Sequence, residues 1–106
     1  MDEQQKYCYT EEVLIHIEAA LTELDLLRNL LGNPDTVQSR EVWVRLQTFL
    51  THVGMVSKLF FPPTGNKVSQ QRGTDLQSHL EIDDKNPINN RDARNATEHL
   101  DERMDN

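Results

Sequence analysis

Between Arg91 and Arg103 the chain reads Arg-Asp-Ala-Arg-Asn-Ala-Thr-Glu-His-Leu-Asp-Glu-Arg. Arg94, Asn95, Glu98 and His99 bring a cation, an amide, an acid and an imidazole into about two turns of a helix. That set suits phosphate handling and proton transfer. A guanidinium grips phosphate oxygens at two points and stabilises charge that develops there. An imidazole takes or gives a proton near neutrality. Cleavage of RNA needs these functions: the ribose 2′-hydroxyl loses a proton, the phosphate gains charge stabilisation and the leaving 5′-oxygen gains a proton. Such a scheme requires no metal-ligand set.

The segment has no Gly or Pro, and Ala93, Ala96, Leu100 and Met104 recur at spacings of three and four. This predicts a helix with one narrow apolar stripe and the chemical residues opposite it. Asn95 and His99 are neighbours at i and i+4. Arg94 and His99, five apart, diverge by about 140° and about 7.5 Å along the axis. One helix does not converge them, whereas two copies facing each other across a two-fold axis can. The plain alternative is a solvated helix face. On it Arg94–Glu98 is a favourable i, i+4 pair, and His99–Arg103 has the same spacing; such pairs contribute only ~0.2–0.5 kcal/mol.

Arg94-Asn95-Ala96-Thr97-Glu98-His99 resembles the signature of the HEPN superfamily, an Arg and a polar residue followed by three residues and a His. Ser57-Lys58-Leu59 ahead of Pro62-Pro63, then Arg72-Gly73, then this segment, resemble a group of uncharacterised bacterial HEPN-like proteins. The resemblance implies a small all-α bundle, often dimeric. It also implies metal-independent endoribonuclease activity in a toxin or defence system, with RNA as substrate and an antitoxin or other protein as partner. It gives Arg94 the phosphate, His99 the proton and Asn95 the orienting role; Arg91 and Glu98 are accessory substrate-binding candidates. One position departs from the pattern. A toxin subgroup has a modifiable Tyr two residues after the His, where this chain has Asp101. Control by a partner nucleotidyltransferase is therefore not expected. Two readings stand beside cleavage: RNA or nucleotide binding by a HEPN-like domain without cleavage, and a non-catalytic helical interaction module.

The elements that would position these residues follow from periodicity. Thr10, followed by Glu11 and Glu12, predicts the start of a first helix, with residues 1–9 either frayed or extending it. Val13, Ile17, Ala20, Leu24, Leu27 and Leu31 form its main stripe, and Ile15, Ala19, Leu26 and Leu30 a second. A helix with two stripes has two neighbours, either within its own bundle or in a partner chain. Gly32-Asn33-Pro34 stops it. A second helix begins between Asp35 and Ser39, capped by Thr36 or Ser39, and runs on the stripe Val42, Leu46, Phe49, Val53, Val56 and Phe60 to Pro62-Pro63. Gly54 beside that stripe allows a close helix approach. Residues 62–72 read as a surface loop carrying Lys67 and Arg72, Thr74–Leu80 as a short helix and Glu81–Lys85 as a charged turn. Asn86-Pro87 opens the last helix. The expected fold is all-α: one domain over residues 1–106, an antiparallel bundle of three long helices and one short, HEPN-like.

Composition bounds the rest. A chain of 106 residues buries only ~60–65% of its unfolded surface. With 36% apolar residues and a mean hydropathy of −0.71, its core is thin; a homodimer would bury more. A net charge of −7 excludes broad, sequence-blind nucleic-acid binding and confines any RNA contact to a local cluster of cations. The acidity suits a basic protein partner. Cys8 is the sole cysteine, which precludes an internal disulfide and fits a reducing cytoplasm. No basic leader precedes an apolar run, and no apolar run approaches ~20 residues, so neither export nor membrane insertion is expected. His16, His52 and His79 look isolated, with no Glu-x-x-His, His-x-x-x-His or Cys pair for a metal. No Gly-rich phosphate loop or Gly-x-Ser-x-Gly motif points to another chemistry, so no cofactor is expected. Glu98, Asp101, Glu102 and Asp105 crowd the C-terminus and oppose a helix macrodipole. That fits either a longer parent protein or a frayed end.

Overall fold

The computed structural model describes residues 1–35, 39–63 and 66–89. Among them are three helices and no strand: α1 (Glu3–Leu31), α2 (Arg40–Phe60) and α3 (Lys67–His79). None is long and apolar enough to cross a membrane. The all-helical class agrees with the periodicity. The predicted final helix opens at Asn86-Pro87; residues 86–89 form a turn and not a helical turn, and the rest of it lies outside the described residues.

α1 starts at Glu3, earlier than Thr10. Asp2 accepts from the Gln5 N–H at 2.8 Å, and the Gln5 side chain accepts from the Asp2 N–H at 3.1 Å. This capping box satisfies two donors at once and outweighs the Thr10 signal. At the other end Gly32 is right-handed, at φ −74°, so the stop does not use glycine's left-handed freedom. The Gly32 N–H still finds the Arg28 carbonyl at 3.0 Å. Ser39 caps α2 by accepting from Val42. α2 ends at Phe60, because Pro62 has no N–H to continue it.

α1 and α2 form an antiparallel hairpin: Glu23 meets Arg45 and His16 meets His52. Val13, Ala20 and Leu27, seven apart, are the buried seam of α1, the heptad spacing of near-parallel packing. Glu23 receives Arg45 Nη1 at 3.1 and 3.3 Å on its two oxygens, which fixes the register in the hairpin's outer half. The core lies at the other end. There Val13, Val56, Phe60, Phe61 and Leu76 cluster, with Tyr9, Leu80, Ile82 and Ile88 against them. Leu76 is fully buried, worth roughly 2–3 kcal/mol relative to exposure.

α3 corrects two expectations. Residues 67–72 are helix rather than loop, and the helix is 13 residues long rather than a short one beginning at Thr74. Asn66 supplies the missed cap by accepting from Ser69 at 3.2 Å. Gly73, inside this helix, serves packing. A Cβ there would lie 2.6 Å from Pro62 Cδ and 2.8 Å from the Phe60 carbonyl oxygen. That carbonyl is orphaned by the end of α2 and is taken up by Gln77 Nε2 at 2.7 Å. Gly54, the expected place of close approach, is half-buried.

α3 closes with Glu81 in the left-handed region at φ 57°. The Ile82 N–H reaches the Gln77 carbonyl at 2.8 Å and the Glu81 N–H reaches Ser78 at 3.4 Å. This is a Schellman turn, with Glu81 where Gly is usual. It sends the chain back so that Ile82 packs on the core.

Candidate functional site

Arg91, Arg94, Asn95, Glu98 and His99 lie outside the described residues. What the structure positions is the chain that leads to them. Asn86 accepts from the Ile88 N–H through its side chain at 3.0 Å and from the Asn89 N–H through its carbonyl at 2.9 Å. These two bonds close a turn over residues 86–89; the helix that Asn86 is predicted to cap is not among the described residues. Ile82 and Ile88 pack against the core cluster and hold this stretch down.

Beside Ile88 runs an apolar groove of about 360 Å³. Ile17, Leu21 and Leu24 of α1 form one wall, and Phe49 and Val53 of α2 the other. Outside the groove, Leu14, Ile15, Leu26 and Leu31 of α1 and Trp43 and Val44 of α2 are exposed. Scattered exposed apolar residues are ordinary. A groove continuous with such strips has the form of an interaction surface.

A second, polar hollow of about 450 Å³ lies between the start of α1 and α3. The Met1 ammonium donates to Asp75 Oδ2 at 2.8 Å, and Gln71 Nε2 donates to Asp75 Oδ1 at 2.9 Å. Chiefly through the ammonium and then through Gln71, the Asp75 carboxyl is held below its ordinary range. Lys67 and Arg72, the loop cations of the sequence, both line this hollow. Arg72 is engaged: Nη2 donates to the Lys58 carbonyl at 3.3 Å, and its guanidinium carbon stands 5.4 Å from the centre of the Tyr9 ring.

The third feature overturns an expectation. His16 and His52 are not isolated. His16 Nδ1 lies 2.9 Å from His52 Nδ1, across the α1–α2 interface. On its other side His16 Nε2 lies 3.0 Å from Glu12 Oε1. The result is a chain of carboxylate, imidazole and imidazole, with the His16 side chain 14% exposed and Glu12 50% exposed. The Glu12–His16 half was visible as an i, i+4 spacing. The His–His half depends on hairpin register, which no local pattern carries. His79 is exposed in the last turn of α3, and Cys8 is an exposed free thiol. Among the described residues no three His, Cys, Asp or Glu converge as a metal-ligand group.

Compared with protein-family models, with curated proteins and with solved structures, the chain matches none.

Proposed function

We propose that the chain is a HEPN-like, metal-independent endoribonuclease that acts as a homodimer in a toxin or defence setting. Arg94 binds the scissile phosphate, His99 serves as acid or base and Asn95 orients. The observation that carries this reading is the spacing Arg94-Asn95-x3-His99 in a strongly acidic chain, where it gathers a cation, an amide and an imidazole. The all-helical fold is compatible with it. So is the packing against the core of Ile82 and Ile88, which precede the motif in sequence.

The test is incubation of the purified protein with total RNA, beside Arg94→Ala and His99→Ala. Cleavage by the wild type that falls at least 100-fold in each variant supports the proposal. Equal cleavage by all three, or none by the wild type, removes it. Retention of labelled RNA without cleavage would favour a binding domain of the same family.

The exposed apolar residues favour a second reading, a helical interaction module without catalysis. Here the groove and the strip through Leu14 and Leu21 take a second copy or a basic protein partner. Sedimentation of wild type and Leu21→Glu separates the cases. A dimer that the variant dissociates, with no RNA cleavage by either, supports the module. A wild-type monomer counts against self-association and against the dimeric enzyme alike.

A further inference from the structure

Neither reading above uses the paired imidazoles between α1 and α2. Their geometry is specific. A ring nitrogen of histidine sits roughly 1.2 Å from the ring centre, so two nitrogens meeting head-on at hydrogen-bond distance hold the centres a little over 5 Å apart. The centres here are 5.1 Å apart, with the nitrogens at 2.9 Å. The two Nδ1 atoms therefore point at each other, and one N–H must fill the other's lone pair. Only one proton fits between them.

Glu12 decides which ring supplies it. An ionised carboxylate only accepts, so the His16 Nε2 facing Glu12 Oε1 carries hydrogen. In the uncharged pair His16 Nδ1 is then bare, and His52 Nδ1–H donates to it. His52 Nε2 is the remaining bare nitrogen. A first added proton goes there and leaves every contact intact. A second has no site except the shared position. It places two N–H groups and two positive rings face to face, and the contact parts.

We propose that Glu12, His16 and His52 form a proton-responsive clasp between α1 and α2, closed with no or one added proton and opened by the second. The charged surroundings are simple. One turn either side of His52 stand Thr48, Phe49, Met55 and Val56, all uncharged. One turn either side of His16 on α1, Glu12 is the one charged residue. On α3, Arg72 is bound to the Lys58 carbonyl and stacked over Tyr9, and Asp75 is bound to Met1, while Lys67 and His79 are exposed.

The unfolded chain protonates both rings, whereas the clasped chain holds one proton fewer. Stability must then fall as pH falls, by up to tenfold in the unfolding constant per pH unit over the range in which imidazoles protonate. The experiment is urea unfolding of the full chain from pH 8 to pH 5, wild type against His52→Gln, with long-range ¹⁵N–¹H spectra of the wild-type imidazoles. We expect His16 protonated on Nε2 and His52 on Nδ1 at pH 8. We also expect the ratio of wild-type to variant unfolding constants to rise on acidification, approaching tenfold per unit at the acid end of that range. His79 and the carboxylates outside the clasp are common to both chains and cancel in that ratio, whereas His16 of the variant no longer has a ring facing its Nδ1. A pH-independent ratio, or spectra showing both rings protonated on Nε2 alone at pH 8, overturns the clasp. Should His52→Gln fail to fold, the wild-type spectra decide.

Discussion

Replacing Gly73 with Ala tests the crossing of α3 over the end of α2. Two effects oppose each other. Ala is the better helix former by ~1 kcal/mol, and Gly73 sits inside a helix. Against this, the new methyl would stand 2.6 Å from Pro62 Cδ, 3.1 Å from Pro62 Cγ and 2.8 Å from the Phe60 oxygen. None of these atoms is the free end of a flexible side chain. Pro62 is a buried ring, and the Phe60 carbonyl is gripped by Gln77. Relief requires α3 to move by several tenths of an ångström. Overpacking of this kind costs ~1–3 kcal/mol, and loosening the Gln77 bond adds ~0.5–1.5 kcal/mol. The net expectation is a loss of about 1–3 kcal/mol, or roughly 5–15 °C in Tm for a chain of this length. Denaturant unfolding followed by far-ultraviolet circular dichroism measures it, with an unchanged m-value showing that the two-state comparison holds. Gly32→Ala is the paired control. Its methyl meets only the Arg28 and Asn29 carbonyls, at 3.4 and 3.6 Å, with φ already −74°. It should gain about 0.5 kcal/mol. If Gly73→Ala also stabilises the chain, the close crossing is wrong.

Three further substitutions follow from individual residues. Glu81→Gly relieves the left-handed backbone at φ 57° and should raise stability by about 0.5–1 kcal/mol; a decrease would mean that the Glu81 side chain has a role of its own. The Ser57 hydroxyl is buried, at 2% exposure, without a hydrogen-bond partner, so Ser57→Ala should be neutral or stabilising by up to about 1 kcal/mol in the same unfolding assay. Asp75→Asn removes a carboxylate favoured in its ionised form by the Met1 ammonium and Gln71. The folded group's pKa is lowered, so its stabilisation is present above the ordinary value of 3.8 and is lost as pH falls through and below it. Wild type should exceed the variant in stability at pH 7, and the gap should close in acid. A gap that does not narrow as pH falls below 3.8 would refute the assignment.

Helix existence was legible because periodicity is local: the Val42-to-Phe60 stripe alone places α2. Boundaries were less so, since caps compete. Thr10 with two following acids is a good start signal, yet Asp2, eight residues earlier, forms a reciprocal box with Gln5 and the helix uses it. Lys67 to Arg72 was misread as loop, because its polar composition hides a helix held by Asn66 and by packing at Gly73. The His16–His52 contact was invisible for another reason. Residues 36 apart meet only through the register of the α1–α2 hairpin. The proposed chemistry at Arg94, Asn95 and His99, with Arg91 and Glu98 beside it, rests on sequence, because those positions lie beyond the described residues.

The turn at Glu81 has a reach as well as a shape. It returns the backbone to the bundle, and Ile88 anchors it at the rim of the groove. Six peptide units separate Ile88 from Arg94, and a chain of that length spans no more than about 21 Å when drawn straight. Covalent connection alone keeps the Arg94 backbone within that distance of the groove's rim.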